Sequence, residues 1–224
     1  MGGAPALAQA LRRELGVSGG DDPRGAAVYV HIWAGDGADE PSLRRARRAR
    51  VPIVALAPAD VDEIPYVLAT DVVPLRAGEG FPIASLARTI AARLGEDGAP
   101  LAARVPVLRR AVAQELISSF ARKNGVLGAA VFVPGVDLPI LLRNELRLIG
   151  LLEQIYGKQL APGNRLPELA GTAAVGFGLR AVARELLDLI PVARWAVKGA
   201  VAYAGTRALG EAALRRLEVG PGGH

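Results

Sequence analysis

The chain has 224 residues, of which 51% are hydrophobic and only 4% aromatic, so its core must be aliphatic and alanine-rich, a composition that favours closely packed helices over an aromatic-rich sandwich. With no cysteine and only two histidines, His31 and His224, it excludes disulfides, thiolate metal centres and cysteine nucleophiles, and a histidine-based zinc site lacks its ligands. The net charge of +5 is spread evenly along the chain, which argues against a dedicated nucleic-acid face.

Residues 1–25 read as a helical or flexible N-terminus, with no secretory signal, so a cytoplasmic protein, free or on the inner membrane, is expected. AAVYVHIWA, from residue 26, is a short apolar run rich in β-branched and aromatic residues and predicts a buried strand. The helical stretch EPSLRRARRAR follows, then a second strand in VPIVALA and a third in IPYVLATDVV. FPIASLARTIAARLG reads as an amphipathic helix with Ile83, Leu86, Ala87, Ile90 and Leu94 on one side and Gly95 as its stop. This order predicts a small α/β domain over residues 26–98 with a three-stranded parallel sheet and right-handed crossovers.

From residue 99 to 218 the pattern is all-helical, with a tail at 219–224 and the domain boundary at LGEDGAP, residues 95–100. PLAARVPVLRRAVAQELISSFARKNG is predicted as one helix stopped by Asn124-Gly125. Two apolar arms then flank Pro134 to Pro139, with Asp137 capping the second arm and Gly157 ending it. Asn164 caps a further helix, and Pro191 opens the last. The arms place Phe132, Pro134, Val136 and Leu138 at the tip of an apolar hairpin, buried in a helical bundle or dipping into a bilayer. In the last helix Ala196, Ala200, Ala204 and Ala208 recur at every fourth position, a small-residue ridge predicted to receive the preceding helix antiparallel.

A phosphate loop needs G-x-x-x-x-G-K-[ST], and no stretch fits: Gly157-Lys158 is followed by Gln159 and lacks the earlier glycine. Asp36, Asp60 and Asp71 are candidates for a ligand edge at the strand ends, as a weak cation or phospho-ligand site or as the carboxylates of an enzyme. Asp39 and Glu40 favour the positive end of the Arg-rich helix. Arg44 to Arg50 could bind phosphate, anionic lipid or a partner's acidic patch, or form a solvated helix face. His31, inside an apolar strand, reads as a core residue.

LGAAVFVPGVDLPILLRNELRLIGLLEQIYGK, followed by GFGLRAVARELLDLIPVARWAVKGAVAYAGTRALGEAA, resembles the bacterial domain of unknown function catalogued as family 697 over about residues 105–215. Arg194 stands where that family commonly carries Gly. VYVHIWAGD, VPIVALAPAD and LATDVV resemble the last strands of an Era-like GTPase domain, with Ala57-Pro58-Ala59-Asp60 in place of Asn-Lys-x-Asp. The resemblance implies a degenerate GTPase-like domain joined to a helical domain, a protein partner (a GTPase or a second copy), and membrane association in several members. No cofactor, metal or nucleic-acid partner is expected. The expected function is a non-catalytic GTPase-associated scaffold or adaptor; the alternative is a membrane-inserting or remodelling protein using the hairpin at 125–142.

Overall fold

A computed structural model describes residues 5–18, 20, 22–61, 63–130, 138–158 and 194–219, and the chain divides into two compact units, residues 1–112 and 113–224. In the first unit, helix α1 (Pro5–Leu15) buries Ala8, Leu11 and Leu15, the spacing of one helical face. Strands β1 (Tyr29–Ile32), β2 (Ile53–Pro58) and β3 (Val72–Leu75) form a parallel sheet in the order β1-β2-β3, as expected. Tyr29 pairs with Ile53 at one end of the ladder and Pro58 with Leu75 at the other. Pro74, which has no amide proton, is tolerated because β3 is an edge strand.

Parallel strands need crossover connections: helix α2 (Asp39–Arg48) supplies the one from β1 to β2, a segment ending in a 3₁₀ turn at Ala69–Asp71 leads from β2 to β3, and helix α3 (Ile83–Leu94) follows β3. One sheet face carries Tyr29, Ile53, Ala55 and Ala57 against Leu43 and Ala46 of α2. Small side chains in the middle of β2 let the helix sit close. The alternate residues Val30, Ile32, Val54 and Leu56 are buried on the opposite face, and α3 packs on β2 and β3 through its buried stripe of Leu86, Ala87, Ile90 and Ala91. Each fully buried Leu or Ile contributes about 1.5–3 kcal/mol. Gly95, at a left-handed φ of 54°, ends α3.

The single helix expected from residue 99 is two. Helix α4 (Ala99–Arg104) stops at Val105, whose extended backbone (φ −117°, ψ 91°) is what a residue before proline prefers. A 3₁₀ turn at Pro106–Leu108 then leads into α5 (Arg109–Ala130). Ala99, Ala102, Val105, Leu108 and Val112 are all buried, so the first unit extends to Val112 rather than ending at residues 95–100.

In the second unit α5 runs straight through Asn124-Gly125, which does not stop it. The reason is tertiary: the Asn124 side chain is fully buried and hydrogen-bonded to other helices, so it has no call to cap its own. Helices α6 (Leu138–Tyr156) and α7 (Arg194–Val219) complete the described part of this unit. Gly199 of α7 meets Gly125 and Ala129 of α5, and Gly210 meets Ile117, so these two helices are antiparallel. Asn144 at one end of α6 bonds Asn124, and Tyr156 at the other bonds Glu218, which makes α6 parallel to α7. The core between them includes Leu116, Ile117, Phe120, Leu148, Leu152, Ile155, Leu209 and Leu217. Gly157, at φ 62°, ends α6 as expected, with the Lys158 N–H returning to the Glu153 carbonyl at 3.2 Å. The helix expected after Asn164, and its packing on the last helix, lie outside the described residues. Among those that are described, no helix is long and apolar enough to cross a membrane.

Candidate functional site

Loops leaving the carboxyl ends of parallel strands are where α/β sheets bind ligands, and β1 leaves its end into residues 33–38 before α2 begins. The first residue of α2, Asp39, is 1% exposed and turns its carboxylate back into this loop. Its Oδ2 accepts from the backbone N–H of Gly35 at 2.8 Å, Asp36 at 3.1 Å and Ala34 at 3.2 Å. Three successive amides converging on one oxygen make an anion nest, and Gly35, at φ 76°, allows the chain to curl that tightly. The exposed Asp36 tightens the same loop by accepting from the Ala38 N–H at 2.9 Å.

Oδ1 of Asp39 is taken by His31, whose Nε2 lies 2.7 Å away and which is wholly buried on the inward face of β1. A carboxylate only accepts, so the proton sits on Nε2; Nδ1 has no hydrogen-bond partner and is sealed from solvent. Tyr29 stacks on one side of the imidazole (6.1 Å between centroids) and Trp33 meets it edge-on at 6.4 Å. Loss of water pushes the His31 pKa below 6.5, and the Asp39 contact opposes this without overcoming it. His31 is therefore neutral. An acid-oriented histidine is half of a nucleophile-activating pair, but with both side chains at 0–1% exposure neither can reach a substrate. The pair fastens the loop.

The three carboxylates expected at a ligand edge are not brought together. Asp36 and Asp60 lie at the carboxyl ends of β1 and β2, both exposed. Asp71 lies at the amino end of β3, since Val72 pairs with Ala55, and it is ion-paired with Arg93 of α3 at 3.3 Å. That end is several residues, at about 3.3 Å each, from Asp60. Among the described residues no group of three or more His, Asp or Glu could hold a metal ion. Asp39, read from the sequence as favouring the helix's positive end, does stand in the first turn of α2, and from there it also holds its loop and His31.

In the second unit, Asn144 Nδ2 donates to Asn124 Oδ1 (2.7 Å), Asn124 Nδ2 to Thr206 Oγ1 (2.9 Å), and the Thr206 hydroxyl to Glu145. Burial raises the Glu145 pKa above 4.5, against the lowering effect of that hydroxyl. The alanines predicted as a packing ridge, Ala196, Ala200, Ala204 and Ala208, are all exposed. The face that α7 packs is the adjacent one, Gly199, Ala202, Thr206, Leu209, Gly210 and Ala213. Phe132, Pro134 and Val136 lie outside the described residues; Leu138 opens α6. Around that end of the unit Val126, Ile140, Leu142, Leu146 and Trp195 are exposed, at 46–68%. Compared with protein-family models, curated proteins and solved structures, the chain finds no match in any of the three.

Proposed function

We propose that this protein is a non-catalytic scaffold or adaptor of the GTPase-associated kind, in which a reduced GTPase-like α/β unit offers a docking surface and the helical unit an anchor. One observation carries the reading. Where a nucleotide-binding domain turns loop amides and a helix N-terminus toward phosphate, the amides of Ala34, Gly35 and Asp36 are already spent on the protein's own Asp39 carboxylate. Displacing that buried, histidine-bonded group would cost about 3–5 kcal/mol, the usual penalty for stripping a buried charge of its partners. The chain has no phosphate loop to recover the loss, and Asp60 stands exposed without the Asn and Lys that specify guanine. The exposed apolar end of the helical unit, with Trp195 and Val126, is the anchoring surface in this reading, toward a protein or a bilayer.

Calorimetric titration of the full chain with GTP and GDP in the presence of magnesium tests it. No binding heat up to millimolar nucleotide and no phosphate release are expected; micromolar GTP binding with turnover would sink the proposal.

A further inference from the structure

The site described above leaves unused an arginine-rich surface of the first unit, the solvent side of α2. Leu43 and Ala46 point into the core, and each residue turns the helix by about 100°, so Arg47, Arg44, Arg48 and Arg45 follow one another around an exposed arc of about 160°. Arg50 extends the row beyond the helix end. It sits at φ 56°, a left-handed conformation in which glycine is the unstrained choice. The other described non-glycine residue with positive φ, Tyr66 at 67°, lies beside the same helix, next to Arg44. Both positive-φ backbone positions thus flank one face, and strain of this kind is commonly retained for function.

Two grooves border the arc. One, of about 580 Å³, is lined by Arg24, Arg45 and Arg48 with Asp22. The other, of about 280 Å³, runs between Arg47 and the pair Tyr66 and Leu68, which are 45% and 57% exposed.

We infer that this face is a docking site for an acidic protein segment, its carboxylates on the α2 arginines and an apolar side chain in the groove beside Tyr66 and Leu68; the inference rests on the adaptor reading and names the chemistry of its partner. Paired guanidiniums on this face already hold carboxylates: Glu40 on Arg44, and Asp22 gripped by Arg24 through contacts of 2.7–3.1 Å that hold its pKa down to about 2. Arginine and tyrosine are also the side chains enriched at protein interfaces. The acids interleaved at Asp22, Glu40 and Asp71 oppose a continuous phosphate backbone or an anionic bilayer more than they oppose a peptide with spaced charges. No row of exposed aromatics is present on α2 to stack bases.

The test uses the full chain and a fluorescein-labelled peptide of alternating glutamate and serine with one central leucine, read by anisotropy at low and high salt. Binding is expected, weakened about tenfold or more by Arg47→Gln with Arg48→Gln and weakened by Leu68→Ser, as loss of charge-assisted and apolar contacts requires. A matched pair, Arg143→Gln with Arg215→Gln, removes the same charge elsewhere and is expected to leave the affinity unchanged. No peptide binding, equal weakening by the matched pair, or tighter Arg47- and Arg48-dependent binding of an oligothymidylate or of phosphatidylserine vesicles would overturn the inference. Each of these outcomes leaves the nucleotide titration, which decides the adaptor reading, untouched.

Discussion

A histidine on the inward side of β1 gives up its water, and the charged form suffers most. His31 is held neutral with its pKa below 6.5, while in the unfolded chain it titrates near 6.5. As pH falls through that value the unfolded state binds a proton that the folded state refuses, so this contribution to stability is present above pH 6.5 and lost below it. The loss amounts to at most about 1.4 kcal/mol per pH unit. Urea denaturation at pH 7.5 and 5.5 is expected to show it in the wild type. In His31→Gln, which keeps a donor toward Asp39 but does not titrate, that part of the pH dependence should vanish; an unchanged slope would mean the imidazole is not what titrates. The burial of His31 was legible from its place in an apolar strand. Its bond to Asp39 was not, because the two are joined only by the way a loop of six residues folds back.

At the scale of elements, the helical unit is held by a seam of glycines. A Cβ on Gly199 would lie 2.8 Å from the Gly125 carbonyl oxygen and 3.0 Å from the Ala129 Cβ, and one on Gly128 would lie 2.9 Å from the Ala202 Cβ. These are backbone or stem atoms that cannot swing aside. Gly205, on the same helix, meets nothing within 4 Å. Gly199→Ala is therefore expected to destabilise by about 1–3 kcal/mol through overpacking. Gly205→Ala should stabilise by up to about 1 kcal/mol by helix propensity alone. Circular dichroism during urea unfolding separates the two, and equal effects would mean the seam is not tightly packed. The alanine ridge was the more regular pattern in the sequence, yet it faces outward. A four-residue repeat of small side chains marks a smooth stripe, and only the partner's shape, here Gly125 and Gly128 on α5, decides which stripe is covered. Asn124-Gly125 misled for the same reason: capping residues and close-contact residues are the same two amino acids put to different use.

For the molecule as a whole, each unit carries a titrating group that loss of water shifts, the fully buried His31 downward and the half-buried Glu145 upward. Glu145, with its pKa raised by burial, destabilises the second unit at neutral pH, and this penalty is relieved as pH falls through the raised value toward 4.5, because the folded state then takes the proton first. Glu145→Gln still accepts from Thr206 and needs no proton. It is expected to stabilise the protein at pH 7.5 and to gain less at pH 5.5, the reverse of the His31 trend; a gain independent of pH would assign the effect to packing instead. What the sequence determined by itself was whatever depends on local chemistry and period: the three parallel strands, the amphipathic helix closed by Gly95, the end of α6 at Gly157, the helical character of the described part of the second half and the absence of a phosphate loop. Only the tertiary structure decided that Asp71 stands at the opposite end of the sheet from Asp60, that Asp39 fills its own nest, that the first unit reaches Val112 and that α7 packs through glycine. Each of these depends on which residues distant in the chain are brought within a few ångströms, and strand direction, loop reversal and helix rotation set that distance while leaving no periodic trace in the sequence.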